Sequence, residues 1–533
     1  MIPAILLCLA LLSFGQGPEG QGRRQQGQGQ QPSGQQPTTT TQTTGAPTGS
    51  QTGQARPAPA ASPVPEEVPV ITHHEITVGG KTLKYTATVG MMPIKNRDGE
   101  TEARIFFMAY TLDGISDRHQ RPLTFSFNGG PGSASVWLHL GAIGPRRVPM
   151  NPDGTMPPPP YALVDNEHTW LDQSDLVFID PVGTGYSRAV RPELASRFFG
   201  LQGDIESVGE FIRMYLTRYE RWTSPLFLAG ESYGTTRASA LSGYLISRGI
   251  ALNGIVLIST IMNFETTDFA SGNDLAYVMF LPSYAATAWY HKKLSRDLQS
   301  KSVQKVVAEA EEWAANDYTL ALEKGDRLTA QERQEVVAKL SHYTGLDAHF
   351  IDNANLRVSL NFFRKELLRD EKRSIGRLDA RFKGYDSSYV TAGPDFDASE
   401  AAIRPPYTST FNNYVRTELG YKTDVEYYIL GGGITSPWNW GTNNGYVDTS
   451  VALRTALAQN PYLKVFVAMG YYDMATPYFA VQYTMHHISI DPVLLKNFST
   501  GYYEAGHMMY IDEKQLGKLR ADVGKFIDES QRR

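Results

Sequence analysis

A serine set between two glycines, where an apolar run stops, is the first place in this chain where chemistry could happen. Pro225–Gly230 reads PLFLAG, short and apolar like a buried strand, and Gly230-Glu231-Ser232-Tyr233-Gly234 leads from it into small, helix-compatible residues. Such a strand-to-helix turn lifts a serine hydroxyl above the end of a sheet, and the glycines permit the strained backbone it needs. The pentapeptide alone is also compatible with a plain tight turn, so its meaning depends on partners. A serine hydroxyl is a poor nucleophile until an imidazole accepts its proton. A carboxylate must then hold the ring in one tautomer and stabilise the imidazolium.

Both partners follow along the chain, acid before histidine, each placed where a strand ends. The apolar run LKVFVAMG opens directly into YYDMATPY, which puts Asp473 at a strand's carboxyl end, and LLKNFSTGYYEAGHMMY presents His507 in a glycine-containing loop before the last helix. His486 and His487 read as an exposed pair on a helix. Asp448 reads as a helix N-cap and Asp491 as a turn residue before a proline. The developing oxyanion needs donors: the amide of Tyr233 supplies one, and the glycine loop NGGPG (Asn128–Gly132) can supply another. A simple turn is the alternative for that loop.

The elements that must position these residues are legible in the apolar pattern. HHEITVGGKTLKYTATVG predicts a hairpin about Gly79-Gly80; ARIFFMAYTL, PLTFSF, SDLVFI, PLFLAG, LNGIVLIST and LKVFVAMG predict strands; SVGEFIRMYLTRY predicts an amphipathic helix. Alternating strands and helices imply an α/β protein with a mostly parallel central sheet flanked by helices. The first part of that core is expected over 66–261 and the second over 425–533, with a largely helical cap insertion at 262–424 between them.

Composition narrows the classes. The 533 residues carry a net charge of −5, with 41% hydrophobic and 20% charged residues, which suits a globular enzyme or binding protein and gives no reason to expect nucleic acid. The single cysteine, Cys8, lies in the first apolar segment, so a cysteine nucleophile, a thiolate zinc site and an iron–sulfur cluster are all excluded from the remainder. Residues 1–15 read as a secretory signal too short to span a bilayer, followed at 16–65 by a disordered linker rich in Gln, Gly, Thr and Pro. An exported chain, periplasmic or secreted, with no stable membrane span after signal removal is expected. His73-His74 lack metal-site companions, and neither metal nor cofactor is expected.

Taken together, FNGGPGSAS (Phe127–Ser135), DPVGTGYS (Asp180–Ser187), GESYG (Gly230–Gly234), DMATP (Asp473–Pro477) and AGHM (Ala505–Met508) resemble the serine carboxypeptidase family, peptidase family S10. The resemblance runs from about residue 70 to the end and is weakest in the cap. It implies an α/β-hydrolase fold that removes C-terminal residues from peptides. It further implies a triad of Ser232, Asp473 and His507, and an oxyanion hole from the amides of Gly130 and Tyr233. Asn128 and Glu231, with the Gly129 amide, would receive the substrate's terminal carboxylate. An ionised Glu231 would repel that carboxylate, so only the protonated acid can bind it, and acidic pH should favour peptide hydrolysis.

Departures from the family pattern bear on the same network. Ser126 stands where Trp is common, Ser133 where Cys is common, and Ala142 where a glutamate often partners the one beside the nucleophile, which should weaken the acid preference. Thr235-Thr236-Arg237 replaces the usual small-aromatic run; Arg237 reads either as a further carboxylate donor or as a structural ion-pair partner. Leu430–Thr435 (LGGGIT) reads as a turn, and Trp438 and Trp440 either line a pocket or pack cap against core. The expected partner is a peptide with a free C-terminus. An esterase or acyltransferase on the same triad, or a non-catalytic secreted binding protein, remain the alternatives.

Overall fold

Alternation of side chains along short apolar strands builds two hydrophobic faces, and the fold follows from covering both. In the computed structural model, residues 67–532 are described; the expected signal segment and linker lie outside them. The strands of the main sheet are β1 (Val70–Val78), β2 (Lys81–Lys95), β3 (Thr101–Leu112), β4 (Leu123–Phe127), β5 (Asp175–Ile179), β6 (Arg188–Ala189), β7 (Leu226–Ser232), β8 (Gly254–Thr260), β9 (Lys464–Gly470) and β10 (Phe498–Tyr503). Their spatial order is β1-β2-β3-β5-β4-β7-β8-β9-β10, with the short β6 paired to β3.

From β5 to β10 every neighbouring pair is parallel, while β1, β2 and β3 form an antiparallel edge. The expected hairpin is present, with Val78 opposite Lys81 across Gly79-Gly80. The fold class is therefore α/β with a mostly parallel sheet, as the pattern predicts.

Period-two burial assigns the faces. Phe107, Ile179, Phe125, Leu228, Leu257 and Val467 point into one cluster, and Phe106, Phe178, Phe227, Val256 and Phe466 into the other. Helices α1 (Leu201–Arg218) and α2 (Tyr233–Ser247) cover the first, and α3 (Leu275–Tyr290) packs there with the helices that follow it. On the other face lie α4 (Ala398–Thr417) and α6 (Glu513–Gln531), the latter named after α5 (Tyr478–His486). Between β8 and β9 the chain contributes no strand to the main sheet. Among the described residues no helix is long and apolar enough to cross a membrane.

One buried ion pair ties the covering helices to the sheet's functional end. Arg237 on α2 is 1% exposed and donates from Nε to Asp204 on α1 at 2.8 Å and from a terminal nitrogen to the Asn128 carbonyl at 2.7 Å. The Tyr233 hydroxyl donates to the same Asp204 oxygen at 3.1 Å. Arg237 thus serves a structural role, holding the chain just beyond β4. Removing one partner of such a pair strands a buried charge. Asp204→Ala should lower unfolding free energy by about 3–5 kcal/mol in urea denaturation; a loss below about 1 kcal/mol would contradict this role.

Candidate active site

Parallel strands deliver their carboxyl ends to one edge of a sheet, and four of those ends meet here. β4 runs into Asn128-Gly129-Gly130, β7 ends on Ser232, β9 leads to Asp473 and β10 leads to His507. The last two loops are zipped together by backbone bonds, Tyr471 N–H to the Tyr503 carbonyl at 3.0 Å and Tyr472 N–H to the Ala505 carbonyl at 3.0 Å. His507 is anchored at both ends: its N–H donates to the Leu378 carbonyl at 2.6 Å and its carbonyl accepts from Ser259 Oγ at 2.5 Å. Ser259 immediately precedes Thr260, the register partner of Ser232, so the histidine is pinned beside the serine's strand.

Ser232 sits at φ 60°, ψ −132°, between the end of β7 and the start of α2. A non-glycine residue there costs about 1–3 kcal/mol, a strain that surrounding contacts must hold. Thr235 Oγ1 donates to the Ser232 carbonyl at 2.7 Å and accepts from Ile261 N–H at 2.8 Å, bracing the turn against β8. The flanking glycines are explained by contact. A Cβ on Gly230 would lie 2.3 Å from the Gly234 carbonyl oxygen, so the two limbs of the turn touch where a side chain would stand.

Asp473 is fully buried and saturated with donors. Its Oδ1 accepts from Ala475 N–H at 2.7 Å and Thr476 N–H at 2.9 Å, and its Oδ2 from Thr476 Oγ1 at 2.7 Å. His507 Nδ1 lies 2.7 Å from Oδ2, which fixes the proton on Nδ1 and leaves Nε2 as the basic nitrogen. Burial lowers the affinity of His507 for a proton, but the Asp473 carboxylate outweighs this and holds the imidazole above its ordinary value.

The second cluster lies on the other side of the serine. Glu231 is 4% exposed; its Oε2 accepts from Asn128 Nδ2 at 2.9 Å and from the Tyr510 hydroxyl, and its Oε1 lies 3.9 Å from His507 Nε2. Burial pushes the carboxyl up to about 7; His507 and the two hydrogen bonds oppose that shift, and Asp473 adds to it. Asn128 is oriented in turn, its side-chain oxygen accepting from Leu138 N–H at 3.0 Å. Gly129 passes so close to the start of α2 that a Cβ would lie 2.4 Å from Tyr233 N, which brings the glycine loop and the Tyr233 amide together.

Ser232, Asp473, His507, Asn128, Gly129, Gly130, Glu231 and Tyr233 are thus gathered at one sheet edge. Trp438 and Trp440 pack edge-on against Tyr233, with ring centroids 5.5 and 5.9 Å away. His486 and His487 are exposed at the end of α5. Asp448 lies one residue earlier than an N-cap: the cap position is Thr449, although the Asp448 carboxylate accepts from Ser450 N–H at 2.9 Å. Asp491 does cap the 3-10 turn Pro492–Asn497. Sequence reasoning missed Thr476, Ser259 and Tyr510. The first lies within the quoted DMATP run, but nothing in composition or spacing singles out one serine or one tyrosine whose partner is hundreds of residues away.

A family profile described as serine carboxypeptidase matches residues 81–520. Serine carboxypeptidase-like 45 of Arabidopsis thaliana is 25% identical over 270 residues, 45% of this chain and 55% of that protein. A pheromone-processing carboxypeptidase of Saccharomyces cerevisiae is 32% identical over 155 residues, 27% of this chain and 20% of its own length. The chain therefore spans about half or less of these curated relatives. The crystal structure of a prohormone-processing carboxypeptidase from Saccharomyces cerevisiae superposes with a TM-score of 0.53 at 17% identity, covering 83% of this chain and 91% of that one, and shares the fold.

The position of Glu231 has a consequence for stability. Because its folded value is raised from 4.5 to about 7, its contribution is fully present below the unfolded value and is lost as pH rises through the folded one. Glu231→Gln keeps the shape of the neutral acid without the ionisation. Relative to the native chain it should gain on the order of 3 kcal/mol at pH 8 and nothing at pH 4 in denaturant titrations. Equal differences at the two pH values would show that Glu231 ionises as easily as an exposed carboxyl.

Proposed function

Because the chain belongs to the serine carboxypeptidase family, we propose that it releases C-terminal residues from peptides through an acyl-enzyme formed on Ser232. The observation that carries this reading is the buried Asn128–Glu231 pair directly beside the nucleophile. Ester or amide chemistry alone has no use for a carboxyl group kept close to neutral at that position. A terminal carboxylate does: the protonated Glu231 and the Asn128 amide can each donate to it, helped by the Gly129 N–H.

With the carboxylate so held, the last peptide bond lies over Ser232. His507 Nε2 takes the hydroxyl proton as Oγ attacks the scissile carbonyl, and the Asp473 carboxylate stabilises the resulting imidazolium. The amides of Gly130 and Tyr233 receive the oxyanion. The imidazolium then protonates the departing amino group, the terminal residue leaves, and water repeats the sequence on the acyl-enzyme. The apolar run Ile2–Phe14 supports export of the chain.

The two titrating groups make opposite demands. His507 must be neutral, so activity falls as pH drops through its value, which lies above the ordinary 6.5. Glu231 must be protonated, so kcat/KM for peptides falls as pH rises through about 7. A bound carboxylate raises Glu231 further, so kcat should persist to higher pH than kcat/KM does.

The test compares an N-blocked dipeptide bearing a free C-terminus with its C-terminal amide, across pH, for the native chain and Ser232→Ala. The expected result is cleavage of the free acid in preference to the amide, with an alkaline fall near pH 7 that the amide lacks, and loss of both activities in Ser232→Ala by about 10³-fold or more. Equal cleavage of acid and amide would keep the nucleophile but favour an esterase or acyltransferase. No turnover by folded native chain, together with no labelling of Ser232 by a fluorophosphonate, would leave a binding protein.

A further inference from the structure

The carboxylate receptor contains one member that neither the sequence pattern nor the family resemblance assigns. By the family resemblance Ala142 stands where a glutamate often pairs with the one beside the serine, and Ser126, another departure, is fully buried with no hydrogen-bond partner for its Oγ. Glu231 is met instead by Tyr510, from the short turn Met509–Ile511 just beyond His507. Tyr510 is 2% exposed and donates its hydroxyl to Glu231 Oε2. Its ring fits because residue 141 is glycine: a Cβ there would lie 2.5 Å from Tyr510 Cε2 and 2.6 Å from the Tyr407 hydroxyl. Glu231 thus has a phenol as its partner in a chain whose residue 142 is alanine.

Resting on the carboxypeptidase reading above, we propose that Tyr510 is a positioning residue for the substrate's terminal carboxylate: it fixes which oxygen of Glu231 bears the proton and sets the upper pH limit of peptide binding. Oε2 accepts from two donors, Asn128 Nδ2 and the Tyr510 hydroxyl, which is the environment of a carbonyl-type oxygen. The acid proton is thereby directed to Oε1. That oxygen lies 3.9 Å from His507 Nε2, too far for a hydrogen bond, so its proton is available to an incoming carboxylate.

The same phenol limits the pH range. A hydroxyl donating to a carboxylate makes a stronger bond than one donating to a neutral acid, so Tyr510 stabilises the form of Glu231 that cannot bind substrate. A carboxyl partner at position 142 would have favoured shared protonation; the phenol favours ionisation. The groups facing Glu231 are His507 from the loop after β10, Asp473 from the loop after β9, Tyr510 itself and Tyr407 from α4. Tyr510 stays protonated through the working range, because burial and the neighbouring Glu231 both raise it well above 10, so it remains a donor throughout. The Tyr407 hydroxyl has no hydrogen-bond partner and does not compete for Oε2.

The test reads the alkaline limb of kcat/KM for the free-acid dipeptide, with fluorophosphonate titration of Ser232 counting the competent sites in each preparation. Tyr510→Phe should move that limb up by about one pH unit. Site-specific replacement of Tyr510 by 3-fluorotyrosine, a stronger donor of nearly the same volume, should move it down, and it reports even where the phenylalanine variant folds poorly. The pH dependence of inhibition by the N-blocked amino-acid product should move in the same two directions. An unmoved limb in both variants, with a uniform rise in KM, would reduce Tyr510 to a packing residue and overturn the proposal. Equal cleavage of free acid and amide by the native chain is a different result: it removes the carboxylate receptor, and this assignment with it.

Discussion

A carboxyl group placed in the chain next to the strained turn serine, Ser232, and denied access to water, is the constraint around which this site is organised. Left ionised, Glu231 would be a buried charge within reach of Asp473 as well, and two carboxylates so enclosed repel each other. The fold meets that constraint with donors from two separate places, Asn128 from the end of β4 and Tyr510 from beyond β10, while the His507 imidazole lies 3.9 Å from Glu231 without a hydrogen bond to it. Each donor comes from a loop whose path is set by other contacts, so the position of Glu231 depends on most of the sheet edge being correctly assembled.

The strain at Ser232 belongs to the same arrangement. Ser232 takes a positive φ where the strand ends, and the preceding Glu231, still within the strand, reaches Asn128 and Tyr510. Thr235 holds the turn to β8, while Arg237 and Asp204 hold the loop after β4. Arg237 reaches the carbonyl of Asn128 and not its side chain. It therefore positions the backbone of Asn128 and leaves the side chain to Glu231.

Histidine and glutamate are coupled across 3.9 Å, which under the proposed function would tie acid–base chemistry to substrate recognition. An imidazolium beside Glu231 favours its ionisation, and an ionised Glu231 favours the imidazolium. In the proposed mechanism the productive pair is a neutral base beside a neutral acid, and an arriving carboxylate would favour it by demanding the proton on Glu231. Under the proposed carboxypeptidase reading, recognition of the terminal carboxylate helps to set the protonation state that Ser232 needs.

Much of this was legible in the chain. Apolar runs of strand length, each breaking into a glycine- or polar-rich loop, determine a parallel sheet with loops at one edge, because backbone hydrogen bonding and burial act on local patterns. The order of Ser232, Asp473 and His507 along the chain and their places at strand ends follow from the same patterns, as does the pairing of Asn128 with Glu231 once the family resemblance is admitted. Arg237 admitted two readings, and only the position of Asp204 on a neighbouring helix decided between them. Tyr510 admitted none: one tyrosine among 29 becomes the partner of Glu231 because β10 lies beside β9 and residue 141 leaves room for a ring. Local sequence determines which segments form strands and which residues end them. Which distant side chain becomes the partner of Glu231 depends on packing in three dimensions, and that was decided only by the tertiary structure.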